Sequence, residues 1–232
     1  MNDYQPIYGT ASVGDLDVNA RATFISRTYA HLCGAVFGFT LIEIFLFQSG
    51  LAEPIARAMM SVSWLIVLGG FVLVSWLASR TAHAAVSKPA QYGALAAFVA
   101  AEAIIFVPLL YLAQSVAPGV IESAALVTFL GFAALTAIVF VTRKDFSFLR
   151  GLLFWAGILA LGAIVGAVLF GFSLGTWFSI GMVALAGGAI LYNTSNVLHH
   201  YSEDRYVAAA LELFASMALM FWYVLRLFLS RR

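Results

Sequence analysis

Residues 191–216 read LYNTSNVLHHYSEDRYVAAALELFAS. Two long apolar runs meet here, one ending near residue 194 and the other starting near 206, with Asn, Thr, Ser, His and acidic side chains crowded between them. The pattern predicts a helix, a short connector and a second helix folded back beside the first. Ser202 is the expected N-cap of that second helix, with Glu203 and Asp204 in its first turn, where carboxylates meet the positive end of the helix dipole. Glu212 and Ser216 lie four residues apart and share one face. The cluster Asn193, Thr194, Ser195 and Asn196 closes the preceding helix, so the two polar groups are expected to face each other.

The rest of the chain is apolar enough to make this polarity conspicuous. Of 232 residues, 63% are hydrophobic and only 10% charged, and the mean hydropathy is +0.98. That balance excludes an ordinary soluble domain and makes the lipid bilayer the first partner. A net charge of +1 argues against nucleic acid and against a strongly basic surface patch. Cys33 is the single cysteine, so no intrachain disulfide forms. Its apolar neighbours suggest an inert packing residue.

A helix needs about 20 apolar residues to cross the hydrocarbon layer. Seven stretches qualify: 28–48, 62–79, 91–113, 121–141, 149–170, 176–194 and 206–229. The expected fold is therefore an all-α membrane protein, a seven-transmembrane-helix bundle over residues 27–232, preceded by a flexible polar N-terminal tail at 1–26 that lacks the pattern of a cleaved signal. Arg21, Arg27, Arg80, Lys88, Arg143, Lys144, Arg150 and Arg205 fall on the side of the N-terminus, against Arg57, Arg226, Arg231 and Arg232 on the other. The excess places the N-terminus in the cytoplasm and the C-terminus outside. Gly34-x-x-x-Gly38, Gly162-x-x-x-Gly166, Gly69-Gly70 and Gly187-Gly188 are expected to bring helices close within one chain, with dimerisation the other use of such faces. The oligomeric state stays open.

Three carboxylates, Glu43, Glu102 and Glu212, stand inside apolar runs, where a charge costs about 2.5–3.5 kcal/mol at the centre of a span. Glu43 lies toward the far end of the first span, within reach of the interface. Glu102 is mid-span, six residues before Pro108, which is expected to kink its helix. Glu212, next to the polar cluster, is the candidate for an ion path or pH sensing, with helix capping and interhelical hydrogen bonding as the equally weighted structural use. His199 and His200 belong to the connector near Glu203 and Asp204, a position where histidine is usually just solvated. No ligand set with metal spacing is visible, so neither a metal nor another cofactor is expected. Gly171-Phe172-Ser173-Leu174-Gly175 matches a nucleophile-elbow pattern only by chance, since it joins two membrane helices rather than a strand and a helix. Lys88 and Lys144, the only lysines, both lie in loops, which excludes an intramembrane Schiff base. No catalytic constellation appears.

The stretches FLGFAALTAIVFVTRKDFSFLRGLLFWAGILAL (129–161) and ILYNTSNVLHHYSEDRYVAAALELFASMALMFWYVLRLFL (190–229) resemble the Bax inhibitor-1 family. Its members carry a T-x-[KR]-D-[LFM]-S-F run after the fourth span, here Thr142 to Phe148. The T-S-N-x-x-H run, here Thr194 to His199, is similar to the bacterial YccA-type branch. The resemblance implies a last helix running centrally, wrapped by the other six. It also implies two functions, a pH-sensitive calcium leak or restraint of a membrane-bound AAA protease of the FtsH kind, with calcium as permeant ion in the first case only. In calcium-leak members an Asp at the end of the sixth helix and another in the seventh share a proton, and an Arg from the second helix helps close the pore. Those acidic positions map onto Asn193 and Ser216, which do not titrate near neutral pH, while Arg80 is the match for the Arg. The departure agrees with the YccA-type branch. The expected function is thus regulation of a membrane protease or stress response without catalysis, and the alternative is a cation leak in which Glu212 replaces the missing pair, with Asn193, Ser216 and Arg80 around it.

Overall fold

A computed structural model describes residues 12–84 and 87–230. Eight α-helices follow in order: α1 (Val18–Gln48), α2 (Ala52–Ser61), α3 (Trp64–Ala84), α4 (Lys88–Val116), α5 (Val120–Thr142), α6 (Leu149–Phe170), α7 (Thr176–His199) and α8 (Tyr206–Leu229), with single 3-10 turns at Val13–Asp15 and Glu203–Arg205. Seven of them, all but α2, are long and apolar enough to cross a membrane, as the hydropathy predicts.

Helix α8 is the core of the bundle. It packs against α1, α3, α4, α5 and α7, and it buries fourteen residues, among them the run Val207–Leu211. Three successive alanines, Ala208 to Ala210, let neighbouring backbones approach that first stretch closely. Farther along, Trp222 stacks on Trp64 of α3 and meets Phe106 of α4 edge-on. The sheath is less complete than expected. Helix α6 buries no residue and packs chiefly on α7, so α8 is ringed by five spans and α6 stands outside them.

Helix α1 starts ten residues before the predicted span. Asp17 caps it, its Oδ1 accepting from the N–H groups of Asn19 at 2.8 Å and Ala20 at 3.0 Å, which satisfies two of the free donors at the helix start. The expectation of a flexible tail through residue 26 is thereby corrected for residues 12–26, and residues 1–11 lie outside the described residues. Val13 is fully buried, its N–H donates to Tyr201 O at 2.8 Å, and Ser12 bridges Ser202. Arg21 fastens this turn by donating to Val13 O at 3.0 Å and to Gly14 O.

The connection after α1 also holds a helix the hydropathy did not show. Helix α2 begins Ala-Glu-Pro, with proline in the first turn where its missing N–H costs nothing, and an exposed Glu53–Arg57 pair spans one turn. It lays Ala52 and Ala56 against α4. Helix α4 continues through Pro108 as one element. Among the glycines, Gly187 and Gly188 serve close packing, since a Cβ on Gly188 would lie 3.2 Å from Leu153. Gly34, Gly69, Gly70 and Gly162 face open space, so the predicted intrachain contact is absent there. Cys33 is exposed on α1 rather than packed.

Candidate functional site

The end of α7 and the first half of α8 meet through side chains that the sequence placed together. Asn193 Nδ2 donates to Ser216 Oγ at 2.8 Å and to Glu212 O at 3.2 Å. Ser216 Oγ in turn donates to Glu212 O at 2.9 Å. Both side chains are buried, and Asn193 Nδ2, Ser216 Oγ and Glu212 O are all paired within this triangle. The junction is a closed hydrogen-bonded joint between two helices.

The Glu212 carboxylate does not take part in it. Only the main chain of Glu212 meets Asn193, and its side chain leaves the opposite way, toward α3. Ser79 Oγ donates to Glu212 Oε1 at 2.7 Å, and His83 Nδ1 lies 3.9 Å from the same oxygen. His83 also contacts Ser79 O at 2.8 Å and stacks on Tyr201 with ring centroids 6.1 Å apart. Burial, and then the nearby Glu212 charge, push the Tyr201 phenol well above its usual range, so it stays neutral. Arg80 is one residue beyond Ser79 and therefore about 100° round the helix. It is exposed and lies over its own neighbour Trp76 at 5.1 Å. The expected pairing of Glu212 with Asn193 and Arg80 is corrected to pairing with Ser79 and His83, because the α3 register presents the serine to α8.

Beyond Ser79 a groove of about 1040 Å³ follows α8 between α3, α4, α6 and α7, with Glu212 and Ser79 at one end, buried Glu102 part-way and Arg226 at the other. Arg226 donates to Leu174 O at 3.1 Å. Glu102 and Glu212 therefore line one space, while Glu43 belongs to a separate cavity.

A further constellation joins α5, α6 and α7 around Asp145, a residue the sequence reading quoted inside a motif without assigning it a role. Asp145 Oδ1 accepts from Ser147 N–H at 2.8 Å and from Ser195 Oγ at 3.3 Å. Ser195 Oγ accepts from Phe146 N–H at 2.9 Å, and His200 Nε2 donates to Asp145 Oδ2 at 3.0 Å. His199 Nδ1 donates to Ser195 O at 2.9 Å. His200 thus pairs across to the α5–α6 connector rather than with Glu203 or Asp204. The Ser147 N–H, with the His200 ring adding to it, holds the Asp145 carboxyl below the usual aspartate range. Ser202 precedes a 3-10 turn and makes no capping bond, and α8 proper starts at Tyr206. His31, for which the sequence shows no partner, sits 5.4 Å from the Tyr92 ring and 5.1 Å from Tyr206. Among the described residues no group of three or more potential ligands could hold a metal ion.

The two short motifs that suggested a family, Thr142 to Phe148 and Thr194 to His199, therefore form one structural unit through Asp145, Ser195 and Phe146. The family profile described as "Inhibitor of apoptosis-promoting Bax1" matches residues 21–232. The chain belongs to the Bax inhibitor-1 family. Within this Bax inhibitor-1 chain, 120 residues are 36% identical to the Uncharacterized protein PA2604 of Pseudomonas aeruginosa, covering 51% of the chain and 54% of that relative. Over 156 residues it is 32% identical to the Modulator of FtsH protease YccA of Escherichia coli K12, covering 66% of the chain and 68% of the relative. The Inner membrane protein YccA of Escherichia coli O6:H1 matches over the same extent.

Proposed function

We propose that this protein is a regulatory component of a bacterial inner membrane that restrains a membrane-bound AAA protease of the FtsH kind, acting by contact and not by catalysis. The observation that carries this reading is the 32% identity over 156 residues with a protein named as a modulator of that protease. The Lys and Arg count supports a cytoplasmic N-terminus and an outward C-terminus. Val13 then lies on the cytoplasmic side, where an AAA ring would pull on the chain. The Val13–Tyr201 hydrogen bond clamps the chain there onto the α7–α8 connector, and the Arg21 contacts tie the same turn to α1. Pulling on the N-terminus meets that clamp before it reaches α1, which favours an engaged but unprocessed protein.

An acid-gated cation leak has less support. Asn193 and Ser216 hold each other at the positions where the resemblance implies a titrating pair, and Arg80 lies over Trp76 while Glu212 takes Ser79. Affinity purification of the full chain from its native membrane, with turnover of a known protease substrate followed during overexpression, tests the proposal. Recovery of the protease with slower turnover is expected; no protease subunit together with unchanged turnover overturns it.

A further inference from the structure

On the other side of α8 from the Glu212 groove, α1 and α5 flank a cavity of about 670 Å³, backed by α4 and α8. Exposed Gln114, Pro118, Gly119 and Glu122 open its mouth at the α4–α5 turn, at the opposite end of α5 from Asp145. Glu43 lines this space, is only 7% exposed, and neither carboxyl oxygen has a hydrogen-bond partner among the described residues. Thr128, 1% exposed and lining the same space, also keeps an unpartnered hydroxyl. Glu122 and Gln114, both exposed, stand nearer the mouth.

Buried polar atoms in folded proteins nearly always have partners, so two unpartnered groups lining one cavity call for a partner that enters from outside. The chemistry of that partner follows from the lining. Among the described residues, two carboxylates and no Lys, Arg or His line the cavity, which selects a cation. The walls are otherwise apolar and carry phenyl rings from Phe39, Phe106, Phe214 and Phe221, whose faces attract positive charge. A bare metal ion demands about six oxygen ligands, more than Glu43 and Thr128 offer in the depth of the cavity. The volume falls within the range of about 300–1,000 Å³ typical of small-molecule sites.

We propose that the α1–α5 cavity binds a protonated amine with an apolar body, its ammonium group on Glu43 with Thr128 as second polar anchor, and its body against the phenyl rings. Glu122 draws the cation to the mouth. The site is independent of the protease reading, since it lies at the other end of the bundle from the N-terminal clamp.

The test uses the full chain in phosphatidylcholine nanodiscs with dansylcadaverine, a fluorescent primary amine, and its N-acetylated form, which lacks the charge; empty discs give the lipid background. Saturable binding with blue-shifted emission is expected for the amine, and at least tenfold weaker binding for the acetylated form. Glu43→Gln should weaken the amine at least tenfold, Ala125→Phe should close the cavity to both probes, and Glu53→Gln, on the exposed face of α2, should change nothing. Absence of saturable amine binding, equal binding of the two probes by the wild-type chain, or undiminished binding by a monodisperse Glu43→Gln chain each overturns the proposal. The two-probe comparison needs no variant to fold.

Discussion

Ser79 and Glu212, 133 positions apart in the chain, share a 2.7 Å hydrogen bond that ties α3 to α8 at one end of the groove. Glu212 has moved its carboxylate out of the α7–α8 joint and into contact with a different helix. A double-mutant cycle of Ser79→Ala with Glu212→Leu, which removes the acceptor, read by thermal unfolding in detergent, should return a coupling of about 1 kcal/mol. The parallel cycle with Arg80→Ala should return none. Coupling to Arg80 instead would restore the counter-ion role that the geometry removes.

The Asn193–Ser216 joint makes a separate prediction. Asn193→Leu removes both donors to α8 and should cost about 1 kcal/mol, in the range of interhelical hydrogen bonds inside membranes. Ser216→Ala should cost a similar amount, and the double variant little more than either single one, because each loses the same bond. Additive losses measured by denaturant titration would show that the two side chains act apart.

Asp145 predicts a pH dependence. Its carboxyl titrates below the ordinary aspartate value, so the stabilisation from its charged form is present above about pH 4 and is lost as pH falls through its folded pKa. Hydrogen exchange at Phe146 and Ser147 should accelerate in acid below that value. In Asp145→Asn it should already be fast at neutral pH and should lose the acid step. Because the group is half exposed, the global cost of this variant should stay near or below about 1 kcal/mol. A protection factor at these amides, taken against the intrinsic exchange rate, that is flat with pH in the wild-type chain would remove Asp145 from this role.

Gly14 sits where a Cβ would approach the His199 carbonyl oxygen to 3.0 Å, and that oxygen belongs to backbone that does not yield freely. Gly14→Leu should lift the Val13 turn from the α7–α8 connector. Limited proteolysis should then cut ahead of Asp17 several times faster, while the unfolding midpoint of the bundle changes little. Under the protease reading this variant should also be processed by the partner instead of restraining it. Unchanged cleavage would mean that the clamp is not what holds residues 12–17.

How much of this was legible varied with the physics behind each feature. The start of α1 is written in the residues, since Asp17 followed by Val-Asn-Ala-Arg is a capped helix start, yet hydropathy registers only the part that sits in lipid. Helix α2 was hidden for a similar reason, since ten residues are too few for a span. The Asp145 unit was half visible, because two motifs can each be recognised along the chain while nothing in either says that they touch. The pairing of Glu43 with empty space had no signal at all, its position near the end of a span suggesting contact with the interface instead.

The sequence by itself determined the seven spans and the contact of α7 with α8, because long apolar runs can satisfy their backbone in lipid only as helices and a six-residue connector leaves two of them side by side. Which way each polar side chain points was decided by tertiary structure alone. A helix rotates about its axis until its whole surface packs, so Glu212 went to Ser79 by the fit of α3 against α8, a relationship that neither segment carries in its own residues.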